Sequence, residues 1–162
     1  MNLDKWDAHR DVRRVSAYGR FGPDQKREFL SHLAFGMSQR RIGANFTGAD
    51  LQAVYESIHR QFSLPRGEAA NVVAEIESHN GLVLKSGFDS LQFYHKSIQE
   101  YLCAEVISRL PILPETLTNF WSLPDECAIA ASHSGESSMF LAMFATRCFE
   151  ELTGTADDGN GH

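Results

Sequence analysis

The spacing of apolar residues along the chain predicts a series of helices interrupted by one short hairpin. Asp24 is placed to cap a helix that runs to about Arg41, with Phe29, Leu30, Leu33, Ala34 and Met37 along one face. Gly43-Ala44-Asn45-Phe46 reads as a break. Thr47, with Asp50 three residues later, resembles a capping box in which Asp replaces the usual Glu. The helix it opens carries Leu51, Val54, Tyr55, Ile58 and Phe62 in a single stripe. Leu64-Pro65 is a turn, and a third helix follows with Ala69, Val72, Val73 and Ile76 inward. Asn80-Gly81 ends it, since glycine adopts the left-handed conformation without penalty.

The strand signal lies in Leu82–Ser86 and Leu91–His95, which flank the loop Gly87-Phe88-Asp89-Ser90. A largely buried helix is expected from about Lys96 to Leu110, where Pro111 and Pro114 stop it, with Glu105 and Arg109 positioned to pair. Beyond it, Glu115–Trp121, Asp125–Ser132 and Glu136–Leu152 read as further helices, the start of a helical array with no visible repeat. The expected fold is mainly α: a winged-helix-like three-helix core with a short β-hairpin wing, followed by an α-helical array fragment. Its expected divisions are 1–22, a charged lead-in ending in the connector Tyr18–Pro23; 23–110, the winged helix; 111–152, the array; and 153–162, a polar tail without structure.

Composition excludes several classes. A chain of 162 residues that is 43% apolar can bury a core without a disulfide or metal staple. Its longest apolar run, Met139 to Ala145, is far short of the ~20 residues of a membrane helix, and no signal segment opens the chain. Three cysteines (Cys103, Cys127, Cys148), odd in number and without metal-like spacing, point to reduced thiols in a cytoplasmic protein. The net charge is −6, unevenly laid out. Residues 1–44 hold nine Lys/Arg and five Asp/Glu, a balance of +4, and the remainder carries −10. Such a split marks either a partner surface or a solvated basic helix beside an acidic domain.

Three helices followed by a hairpin is a winged-helix order, in which Arg66–Asn80 would take the recognition position on DNA. That segment has one Arg against Glu68, Glu75 and Glu77, which would repel phosphates, and the wing loop carries Asp89 without a cation. Nucleic acid is therefore not an expected partner through this surface. The stretch with Arg10, Arg13, Arg14, Arg20, Lys26 and Arg27 is a candidate phosphate-binding face, diluted by Asp4, Asp7, Asp11 and Glu28.

The best chemical signal is the junction of the second hairpin strand with the next helix. A helix start offers free N–H groups and the positive end of the helix dipole. His95, Lys96 and Ser97 would add an imidazole N–H, an ammonium and a hydroxyl, a set suited to phosphate. The alternative is that His95 or Ser97 merely caps the helix.

Phe93-Tyr94-His95-Lys96-Ser97-Ile98-Gln99-Glu100-Tyr101-Leu102-Cys103-Ala104 resembles the F-x-H-x-S-F-Q-E-Y-L-A-A signature in the winged-helix part of NACHT-type STAND NTPases, with Ile98 and Cys103 replacing Phe and Ala. Lys5–Arg10 resembles the E-K/R-W-D-x-x-R end of a helix in the small lid domain after the NTPase core. Phe29–Met37 resembles the L-x-x-L-A-x-x-M helix that opens the winged helix, and Glu75–Val83 the I-x-x-x-x-G-L-L run entering the wing. Together these matches span roughly residues 3–110. The resemblance implies that residues 1–22 are a lid remnant and that 111–152 begin a sensor region. It further implies that His95, with Lys96 and Ser97, meets the phosphates of ADP held by a P-loop core and latches a closed state. The partners it implies are that core and further copies in a homo-oligomer, and the process it implies in bacteria is defence against phage.

No G-x-x-x-x-G-K-[ST] loop or magnesium-holding acidic strand end occurs in the sequence. The chain is thus expected to be no enzyme by itself and to bind no cofactor alone, with ADP or ATP and magnesium entering only with a P-loop core. It reads as a C-terminal portion of such a protein. Ser134, Ser137 and Ser138 near His133 form no G-x-S-x-G elbow, and His59, His79 and His133 share no ligand pattern. Apolar Tyr101 and Leu102 read as core. The competing functions are a winged-helix transcriptional regulator and a small helical adaptor without a ligand.

Overall fold

The computed structural model describes residues 16–79, 81–111, 123–135 and 137–154, without the side chains of 77–79, 147–148, 150–152 and 154. The expected helix Glu115–Trp121, residues 1–15 and the tail from 155 onward lie outside the described residues.

Helix α1, Pro23–Gln39, starts with Pro23 in its first turn, where no N–H partner is lost. It buries Phe29, Leu30, Leu33, Ala34 and Met37, the expected face. Arg41 stops it in the left-handed region (φ 58°), and the Ile42 N–H returns to the Met37 carbonyl at 2.9 Å. Gly36 lies where α1 crosses the next helix: a Cβ there would stand 2.6 Å from Val54 Cγ1.

Asn45–Thr47 forms strand β1, in a stretch expected to be a simple break. Thr47 then caps α2, Gly48–Ile58. Its N–H donates to Asp50 Oδ2 at 2.8 Å, and the Asp50 N–H donates to Thr47 Oγ1 at 3.1 Å, the reciprocal capping box read from the sequence. A 3-10 turn, Arg66–Glu68, leads into α3, Ala69–His79, whose Ala69, Val72 and Ile76 are buried. Gly81 follows at φ +59°, as a helix C-cap requires.

Strands β2 (Val83–Lys85) and β3 (Ser90–Phe93) form the wing, slightly shorter than expected. The sheet is antiparallel in the order β1-β3-β2, with Phe46 opposite Leu91 and Val83 opposite Phe93. The alternating side chains Phe46, Leu91, Phe93 and Val83 all face the core. Helix–strand–helix–helix–strand–strand is the winged-helix order, so the expected mainly helical fold with a short hairpin is the one observed.

Helix α4, Lys96–Ile107, lies against α1 on one side and α5, Pro124–His133, on the other. Lys96 approaches Asp125 and Tyr101 approaches His133, so α4 and α5 run in the same direction. Helix α6, Ser137–Gly154, packs on α5 through buried Phe140 but leaves Met139, Leu141 and Phe149 exposed. No described helix is long and apolar enough to cross a membrane. Cys103 and Cys127 are buried free thiols, and desolvation pushes the Cys103 thiol up to about 12.

Further expectations change. Asp24, expected to cap α1, lies inside its first turn, and Gly22 is the N-cap. Tyr18, read as part of a connector, is buried and packs its ring 5.1 Å from that of Phe29. Glu105 and Arg109 do not pair through their side chains. Arg109 donates to the Glu105 carbonyl and to Glu28, while the Glu105 carboxylate binds Arg27 and Ser31 of α1.

Candidate functional site

The β3–α4 junction positions the three candidate residues on different faces. His95 is the N-cap of α4, in extended backbone (φ −138°, ψ 144°), so its side chain leaves the helix axis before the first turn begins. The imidazole makes no capping hydrogen bond and is exposed, and it meets the Tyr94 ring edge-on at 4.6 Å. Among the described residues nothing holds this ring by a hydrogen bond, and it is open to an anion arriving from outside.

Lys96 is committed elsewhere. Its Nζ lies 2.6 Å from Glu100 Oε1 and 3.8 Å from Asp125 Oδ2, and the hydrogen bond it donates to Glu100 raises its pKa above the ordinary lysine value. A phosphate at Lys96 would meet these two carboxylates and, just beyond them, Glu126, whose carboxyl is pushed up by burial. Ser97 faces away from both, into a groove of about 1070 Å³ between α1, α4 and α5. The junction thus supplies one free imidazole, not a three-residue phosphate pocket.

The groove is the feature sequence reasoning missed. Leu30, Leu82, Ile98 and Ile129 make its floor, and Lys26, Arg27 and His133 stand at its edge. Tyr101, read as core, is over a third exposed here; its hydroxyl accepts from Arg27 at 3.0 Å, and the guanidinium sits 5.8 Å from its ring centre. Burial works against the Glu105 carboxylate behind it, but hydrogen bonds from Arg27 and Ser31 and the charge of Arg27 hold its pKa below the ordinary range. An aromatic in the second turn of an apolar-ringed helix gives no sign of exposure in the sequence; only the position of α5 opens the groove.

Helix α3, in the position of a DNA-recognition helix, is occupied from within. Ser16 Oγ donates to Glu75, and the Ala17 N–H donates to Glu68 Oε2 at 3.0 Å. Both glutamates, read from the sequence only as repelling phosphates, anchor the segment that carries buried Tyr18. Of the unassigned histidines, His59 is buried and donates Nδ1–H to the Leu64 carbonyl at 2.8 Å, which fixes a turn. No group of three metal-ligating side chains occurs among the described residues. Comparison with protein families, with curated proteins and with solved structures gives no match to this chain.

Proposed function

We propose that this chain is the regulatory winged-helix segment of a NACHT-type signalling NTPase, in which His95 reports the nucleotide held by a P-loop core on another segment or chain. The proposal includes control of activation and oligomerisation through that contact. One observation carries it: a winged-helix order of elements presents an exposed imidazole, without a hydrogen bond among the described residues, at the start of α4, at the histidine of the F-x-H-x-S resemblance. The internal use of Glu68 and Glu75 supports this role over that of a DNA reader, because both carboxylates at the recognition-helix position are bound to residues 16 and 17 and add negative charge there.

The nucleotide would supply the phosphate charge, and the chain contributes one N–H donor. A hydrogen bond to a charged group is worth about 1.5–3 kcal/mol, or roughly a 10- to 150-fold bias between two states. That suffices to latch a conformation but not to retain a nucleotide unaided. The chain should therefore show no saturable binding of labelled ADP alone and should bind it when a P-loop partner from the neighbouring reading frame is added. Micromolar binding by the isolated chain would overturn the division of labour.

A further inference from the structure

We infer that the wing tip of one copy of this chain docks into the α1–α4–α5 groove of a second copy, head to tail. The groove is open and apolar at its floor, and although the chain carries a net charge of −6, no Asp or Glu among the described residues lines it. Lys26 at its edge sits 5.5 Å from the Tyr18 ring centre and makes no ion pair with a described residue. The complementary occupant is an apolar side chain beside a free carboxylate.

The wing tip carries that pair. Phe88 is fully exposed, and Asp89 next to it is exposed and in no ion pair among the described residues. A large aromatic standing entirely in water at a turn gains by burial against a partner, as an aromatic interface anchor does. The tip cannot reach the groove of its own molecule. Leu82 lines the groove, and from Val83 to Lys85 the chain is locked in antiparallel register with β3, which carries Phe88 away from it. The contact therefore forms in trans. Phe88 enters between Leu30 and Ile129, and Asp89 meets Lys26 at the edge.

Knob and groove lie on different surfaces, so the contact is heterologous and propagates into a ring or an open chain. A four-residue tip buries little area, which places the contact among weak interfaces, with Kd about 10–500 μM. The inference does not depend on the nucleotide reading, and its test uses the chain alone without nucleotide.

Sedimentation equilibrium of the full chain from about 10 μM to about 1 mM, at low salt where the Asp89–Lys26 attraction is least screened, should show concentration-dependent association. Phe88→Ser should weaken it at least tenfold with no change in Tm, the side chain being free of contacts. Lys26→Glu and Asp89→Lys should each weaken it about threefold or more, and the double charge reversal should restore it. A monomer throughout, association unchanged by Phe88→Ser, or a double reversal no better than the singles would overturn the inference. Loss of association in Met139→Ser but not in Phe88→Ser would also overturn it, placing the contact on the exposed face of α6.

Discussion

Ser16 donates its hydroxyl hydrogen bond to Glu75, 59 residues later in the chain and on the helix that a DNA-reading winged helix would present to its target. This bond, with the Ala17–Glu68 bond beside it, ties the segment entering the fold to α3. It places Tyr18 where its ring meets Phe21 and Phe29. The segment is thus part of the winged-helix body rather than a loose connector to it.

Tyr18→Ala should destabilise the chain by about 3 kcal/mol, the cost of emptying an aromatic site in a close-packed core. Glu75→Ala should cost about 1 kcal/mol or more, through loss of the Ser16 hydrogen bond. Urea unfolding gives both values. Hydrogen exchange should accelerate most at residues 16–22 in either variant; exchange there unchanged from wild type would detach the segment from the winged-helix body.

Glu105 links stability to pH. Its folded pKa lies below the ordinary 4.5, so its stabilising bonds to Arg27 and Ser31 are fully present above the unfolded value and are lost as pH falls through the folded one. Below about pH 4.5 the wild type should lose stability more steeply than Glu105→Gln. At pH 7 that variant should be weaker by about 1 kcal/mol, in keeping with a partly exposed pair. Parallel slopes in acid would remove Glu105 from the account.

Gly36 allows α1 and α2 to approach. Gly36→Val would force a buried Val54 to move and should cost about 1–3 kcal/mol in thermal or urea unfolding. An unchanged Tm would show that the two helices can separate without penalty.

Local chemistry was legible in the sequence, and long-range pairing was not. The Thr47–Asp50 box, the stripe Leu51-Val54-Tyr55, the Gly81 stop and the hairpin all rest on residues within a few positions of one another. Strand β1 escaped notice because three residues show no alternation, and its partner is Gln92, far along the chain. Glu105 has Arg109 one helical turn away, yet α1 brings Arg27 across to it, and the interhelical geometry wins. At the site, the place of His95 followed from the strand-to-helix junction. The Lys96–Glu100 pair is an i,i+4 contact within α4 that the sequence spacing carries. The approach of Asp125 and the groove in front of Ser97 depend on where α5 packs, which no local pattern encodes.

The most direct test of the central claim is the affinity for ADP of the chain combined with its P-loop partner, compared between wild type and His95→Ala. The exposed N-cap position makes this substitution harmless to folding, so Tm should not move. Loss of one charge-assisted hydrogen bond should weaken ADP binding about tenfold or more. Equal affinities, at equal Tm, would contradict the role of His95 as the nucleotide-sensing contact.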